Sequence, residues 1–234
     1  MQHKFGKIII ISFGGSIINP GKINIKLLKD FRRFILKWVR RGKIFIIVAG
    51  GGAPARDYQK AGNMVIKLSD EDKDWIGIHA TRLNAHLLRT IFSKDADPVV
   101  IDSHLKSKAR KKNLRYKVAI ASGWRPGWST DYIGLQLAED FRVGEAVIAG
   151  NISYVYTTDP NKNKKAKTIH NLTWKKYRKM IPAKWTPGFH SPVDPIGAKL
   201  ADEKKLKAII VSGTDFKNLD KLLAGKNFKG TIIS

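Results

Sequence analysis

Three glycine-bearing turns each follow an apolar run: Gly14-Gly15-Ser16 after residues 7–13, Gly50-Gly51-Gly52 after residues 43–49, and the segment Gly123 to Gly127 after residues 117–121. Glycine lets a backbone approach a phosphate closely, and a helix starting beyond the turn offers unpaired N–H groups and a partial positive charge. A single turn of this kind has a plain alternative, a sharp bend with no ligand. Three at the carboxyl ends of strands in one open sheet point instead to a polyanion. Arg56 follows the second turn within the first turns of a helix, where a cation opposes the helix dipole, and its planar fork suits a phosphate. The standard fingerprints do not match. GGGAPAR (50–56) is neither G-x-x-x-x-G-K-[ST] nor G-x-G-x-x-G, and protein-kinase signatures are absent.

Other candidates carry simpler explanations beside the chemical ones. Asp74 could be an acid at a helix start. Asp131, just after Thr130, is explained in large part by helix capping, and Asp194 before Pro195 reads as an N-cap without chemistry. His79, His86 and His190 share no metal-ligand spacing.

The elements that must position these residues alternate. Residues 7–13 and 43–49 are continuous apolar runs, the pattern of strands buried on both faces. Between them, from an Asn24 cap, Leu27, Leu28, Phe31, Phe34, Ile35, Trp38 and Val39 recur at helical spacing before a stop at Gly42. Pro54 suits the first turn of the next helix. A helix is expected over 72–92, strands over 98–102 and 117–121, a helix over 130–140 and a strand over 145–149. A basic polar stretch then runs to about residue 190. After it come a helix from Asp194-Pro195, a strand over 207–211, a short helix in NLDKLLAG and a last strand. This order predicts an α/β fold with a mainly parallel open sheet, one domain whose two lobes meet near residue 145.

Composition narrows the class. The 234 residues carry 44 Lys and Arg against 19 Asp and Glu, a net charge of +25, yet 43% are hydrophobic, which excludes disorder as the global state. Cysteine is absent, so disulfides and thiolate metal sites are excluded, as suits a reducing cytoplasm. No apolar run approaches the roughly 18 residues of a membrane-spanning helix, and the basic, apolar start reads as a strand rather than a signal peptide. Two acid-free stretches, between Asp102 and Asp131 and between Asp159 and Asp194, hold 17 of the 25 excess charges. Both lie largely outside the apolar runs, on expected loops and solvated faces.

Taken in order, SFGGS (12–16), GGGAPARDY (50–58), DWIGIHATRLNAHLL (74–88), GWRPGWSTD (123–131), VYTTDP (155–160), VDPIGAK (193–199) and GTII (230–233) resemble the amino-acid kinase superfamily and, within it, the archaeal-type uridylate kinases. The first two motifs occur across the superfamily; IG-x-x-x-TR-x-NA, PG-x-[ST]-TD and VDP-x-x-AK narrow it to that branch. The resemblance implies a three-layer α/β/α sandwich and reversible transfer of the ATP γ-phosphate to UMP, with Mg2+. It also implies a cytoplasmic homo-oligomer, a hexamer, that requires neither nucleic acid nor a membrane. Residues 1–145 would form the acceptor lobe and 146–234 the ATP lobe.

By the same resemblance Gly14, Gly15, Arg56 and Asp131 are the expected catalytic residues. UMP would meet Gly51, Asp74, Trp124, Arg125, Pro126, Gly127, Trp128, Ser129 and Thr130. ATP would meet Gly15, Ser16, Gly52, Arg56, Gly150, Asn151, Tyr156 and Asp159, and no metal ligand is assigned to a side chain. Phosphoryl transfer asks for positioning and charge neutralisation, which backbone donors and an arginine supply.

Three departures stand out. Ser12 occupies the place of a superfamily Lys, or in some archaeal members an Asp, and a hydroxyl brings no charge. The family's Asn-Val-Asp-Gly-Val-Tyr appears as Asn151-Ile152-Ser153-Tyr154-Val155-Tyr156, which would strain Tyr154 if that position needed φ > 0. Trp124 and Trp128 stand where Thr and His are common; they would stack on a base or cover the cleft. Two other readings remain at this stage, a nucleotide- or polyanion-binding relative without turnover, and a nucleic-acid-associated protein using the basic stretches with Trp174, Tyr177 and Trp185.

Overall fold

The computed structural model describes residues 2–160, 162–184 and 191–234. Trp185 and His190 lie outside them. In chain order the elements are β1 (Ile8–Phe13), α1 (Gly15–Ile18), α2 (Ile25–Arg40), β2 (Ile44–Ala49), α3 (Gly52–Val65), α4 (Asp70–Phe92), α5 (His104–Lys112), β3 (Val118–Ala121), α6 (Thr130–Phe141) and β4 (Glu145–Gly150). Then follow β5 (Val155–Tyr156), β6 (Thr168–Ile169), β7 (Asn171–Leu172), α7 (Trp174–Met180), α8 (Pro195–Glu203), β8 (Lys207–Ser212), α9 (Phe216–Leu223) and β9 (Thr231–Ile233).

Seven strands form one sheet in the order β3-β2-β1-β4-β8-β9-β7, and every neighbouring pair is parallel except β8 with β9. The period-two alternation of strand side chains divides two apolar layers. Ile9, Ile11 and Phe13 join Phe45 and Ile47 under α2, α4 and α9 on one face. Ile10, Ile46, Val48, Ile148 and Ile210 point the other way, against α6, α7 and α8. The result is the expected α/β/α sandwich. Caps start the helices where the sequence placed them: Asn24 Oδ1 accepts from Leu27 N at 3.1 Å, and Asp194 Oδ1 accepts from Ile196 N and Gly197 N at 2.8 and 2.9 Å.

Three expectations need correction. Residues 98–102 are no strand; only Ile101 bridges to Ala121. Pro98 lacks a donor, and Asp97 Oδ1 takes Val99 N at 2.9 Å, turning the chain instead of extending it. The two basic stretches are partly helical, forming α5 and α7, where capping by Ser103 and Thr173 prevails over the crowding of like charge. Trp174 and Tyr177, placed among candidate nucleic-acid contacts, instead form the buried face of α7, at 2% and 1% exposure. The nucleic-acid reading thereby loses two of its three aromatics. Among the described residues no helix is long and apolar enough to cross a membrane.

Candidate active site

The order β3-β2-β1-β4 reverses direction at β1, which makes the carboxyl ends of β1 and β4 a topological switch point, where open α/β sheets bind ligands. Parallel register aligns the turns there. Phe13 lies beside Ala49 and Ala149, so Gly14, Gly50 and Gly150 leave three adjacent strands at one level. Gly14 N donates to Ala149 O and Gly50 N to Phe13 O, each at 3.0 Å.

The first two turns touch through their backbones. A Cβ on Gly15 would lie 2.1 Å from Gly52 N, one on Gly50 would lie 2.3 Å from Gly15 N, and Gly52 itself has φ of +74°. No other residue type fits this crossing. Among the described residues the N–H groups of Gly15, Ser16, Gly51 and Gly52 have no protein acceptor, leaving them for a ligand. Arg56, one turn into α3, reaches back to Ser16 Oγ at 3.2 Å and so spans both turns.

Two cavities meet here. The larger, 630 Å³, is lined by Ser12, Gly14, Gly15, Ser16, Arg56 and Asp131, with Gly150 and Asn151 beyond β4. The smaller, 210 Å³, is lined by Gly51, Gly52, Arg56, Asp74, Arg125, Trp128, Ser129 and Thr130. Arg56 and Thr130 line both, so the junction lies between them.

At the floor of the larger cavity Ser12 Oγ donates to Asp131 Oδ1 at 2.6 Å. Burial pushes the Asp131 carboxyl up to about 7; the Ser12 hydrogen bond opposes the rise and the Asp194 charge reinforces it. Ser129 holds this acid in place from below. Its hydroxyl accepts from Asp131 N and Tyr132 N at 3.1 and 3.0 Å and donates to Asp194 Oδ2, so the caps of α6 and α8 are tied together.

The smaller cavity is braced from α4. Asp74 Oδ2 accepts from Gly127 N at 2.7 Å and closes the loop before α6. Thr81 Oγ1 accepts from Gly123 N at 2.8 Å, while Asn84 Nδ2 donates to Gly50 O at 2.7 Å and Gly51 O at 3.0 Å. Thr81 and Asn84 were missed as functional residues, although the TR-x-NA motif holds both. Gln59, Ser191 and Pro192 also line the cavities, and no motif marked them.

Other expected residues lie elsewhere. Trp124 turns away from the cleft: it is 6% exposed and Nε1 donates to Ile101 O at 3.2 Å. Trp128 does line the smaller cavity, but its ring packs on Tyr132, with centroids 4.5 Å apart, and under Arg125 at 4.6 Å. Pro126, Tyr156 and Asp159 line neither cavity. Tyr154 has no positive φ, so the altered 151–156 turn is free of the strain its sequence suggested.

An α/β/α sandwich with paired glycine turns, an arginine between two cavities and a buried acid has the parts that phosphoryl transfer needs, and the chain belongs to the amino acid kinase family, whose pattern matches residues 7–212. Uridylate kinase from Methanosarcina barkeri is 33% identical over 97% of this chain and 96% of its own length. That from Methanococcus vannielii is 34% identical over 96% and 98%. The solved uridylate kinase of Archaeoglobus fulgidus superposes with a TM-score of 0.82 at 28% identity, covering 98% of this chain and all of that one.

Proposed function

We infer that this chain is a uridylate kinase, transferring the γ-phosphoryl group of ATP to the phosphate of UMP to give ADP and UDP. The observation that carries the reading is the pair of cavities sharing Arg56 and Thr130 across the contact of two glycine turns. ATP takes the larger cavity, with Gly15, Ser16, Gly150 and Asn151 about its phosphates and ribose, and Gly52 borders it from the smaller cavity across the contact of the turns. UMP takes the smaller, with Arg125 and the loop to Thr130 around it. Residues 1–145 then act as acceptor lobe and 146–234 as ATP lobe. The acceptor-cavity residues all fall in the first, which supports its acceptor role, while the larger cavity draws on both lobes.

Unpaired N–H groups and Arg56 meet the transferring oxygens where negative charge spreads in the transition state. Asp131 is the sole carboxylate lining the larger cavity among the described residues, and no cluster of three or more metal-binding side chains occurs among them. That donor set fits Mg2+ carried on ATP, since this ion takes one or two carboxylates beside substrate phosphates. Mg2+ would neutralise phosphate charge; Asp131, oriented by Ser12 and Ser129, would face it. A cytoplasmic homo-oligomer completes the reading, on family resemblance.

The test is to incubate purified protein with ATP, Mg2+ and each of UMP, CMP and GMP and measure ADP and the diphosphate. UDP formation is expected. No conversion of any monophosphate, with ATP still bound, overturns the reading.

A further inference from the structure

A third cavity, of 330 Å³, opens between α7 and α8, apart from the two of the reaction cleft. Lys175, Arg178 and Lys179 of α7 and Lys199 of α8 line it, against one carboxylate, Asp202. Their convergence is fixed by the buried side of α7. The spacing of Lys175, Arg178 and Lys179 puts all three on one helical face. On the other side Trp174 Nε1 donates to Leu206 O at 2.7 Å, and the Tyr177 hydroxyl donates to Val193 O at 2.7 Å while accepting from Val193 N at 2.8 Å. With these anchors α7 cannot roll to disperse its cations.

Pairing inside the chain is incomplete. Arg178 reaches Asp202 at 2.8 Å, which ties α7 to α8, and Lys199 lies 3.8 Å from Glu203. Lys175 and Lys179 have no carboxylate partner among the described residues. Like charges on a convex helix face spread into solvent; here two helices turn them into one concavity, where they repel one another and focus the field on whatever enters. Ile181 and Pro195 give the same cavity an apolar wall.

We propose that this cavity is a second anion site, which binds a polyphosphate group. Inorganic polyphosphate and the tail of a nucleoside triphosphate share that chemistry; the apolar wall gives a nucleotide an extra contact.

Calorimetric titration separates this site from the cleft. In Arg56→Ala protein, which weakens the cleft, inorganic tripolyphosphate and UTP are titrated in chelator at fixed salt. Both are expected to bind, and adding Lys175→Glu with Lys179→Glu should weaken each by about tenfold or more. UTP binding more tightly than tripolyphosphate identifies a nucleotide site, and equal binding identifies one for the phosphate chain alone. Failure of both probes to bind, or affinities indifferent to the lysine pair, overturns the proposal. So does loss of short-RNA binding alone, with both probes unaffected. Thermal melts verify folding, and Lys175→Gln with Lys179→Gln serves as a milder pair. The lysine variants should keep full turnover of UMP, so this site and the UMP kinase reading fail by different measurements.

Discussion

Ser12 Oγ and Asp131 Oδ1 lie 2.6 Å apart, joining the carboxyl end of β1 to the first turn of α6 at the larger cavity. Ser12 is 2% exposed, and a serine at this place holds the acid by a hydrogen bond without adding charge. Arg56 is the sole cation lining the cavity among the described residues. Ser12→Ala should remove the opposing hydrogen bond and drive the Asp131 carboxyl further up. The expected cost at pH 8 is about 1–3 kcal/mol of stability, from loss of a donor to a charged group. Urea melts at pH 8 check it; a loss under a few tenths would deny the bond any role.

Arg56 carries the heaviest electrostatic duty of the cleft because it lines both cavities and contacts Ser16 Oγ at 3.2 Å. Arg56→Ala should lower kcat/KM roughly 100-fold or more, within the range for removing one donor to a developing oxyanion. The side chain is exposed, so the melting temperature should hardly move. An unchanged rate and KM would move the transferring phosphoryl away from this arginine.

Gly15→Ala tests the crossing of the two turns. The new Cβ would meet Gly52 N at 2.1 Å and Gly50 C at 2.4 Å, backbone atoms that no rotamer change relieves. One or both turns must shift, and both cavities shift with them. Turnover should fall below detection while circular dichroism still reports an α/β fold. Retained activity would mean that the two turns can separate without disturbing the site.

Asn84 is a positioning residue, acting through the backbone it holds. Its amide donates to two successive carbonyls, Gly50 and Gly51, and it is 2% exposed. Asn84→Asp keeps the shape but replaces the donor by an acceptor facing two carbonyl oxygens. A rise in KM for UMP larger than that for ATP is expected, together with about 2 kcal/mol of lost stability. Equal changes in both constants would indicate a purely structural part.

Much of this arrangement was legible because it rests on short-range signals. Apolar runs, the Asn24 and Asp194 caps and the glycine turns each announce a local geometry, and parallel register then brings Gly14, Gly50 and Gly150 to one edge. What stayed hidden depends on partners distant in sequence. Trp124 looks like a base-stacking residue until its indole is seen bonded to Ile101 O, 23 positions away. Trp174 and Tyr177 looked solvent-facing amid lysines, since burial of two aromatics on a short helix produces too brief a period to stand out in a basic run. Thr81 and Asn84 sat in a recognised motif, yet their bonds run to turns 42 and 34 residues distant.

The raised Asp131 carboxyl makes a pH signature that the apo protein should display. In the unfolded chain this acid titrates at its ordinary value of 3.8, whereas in the fold burial moves it to about 7. Below pH 4 both states hold the proton and Asp131 contributes nothing to the pH dependence. As pH rises from about 4 to 7 the unfolded state releases it first, so the native state binds more protons and stability falls. Above 7 both are ionised and the loss levels off, at up to about 4 kcal/mol. Asp131→Asn removes this dependence while its side-chain oxygen still accepts from Ser12. The gap in melting temperature between Asp131→Asn and the unaltered protein, taken in chelator without nucleotide, should therefore be smallest near pH 4. It should widen in favour of the variant up to pH 7 and stay constant beyond. Kinase turnover of the variant should be lost at every pH, because a neutral amide cannot supply the negative charge proposed to face Mg2+ on ATP. A gap that does not change with pH would place the Asp131 carboxyl in the ordinary range and remove burial as the force acting on it.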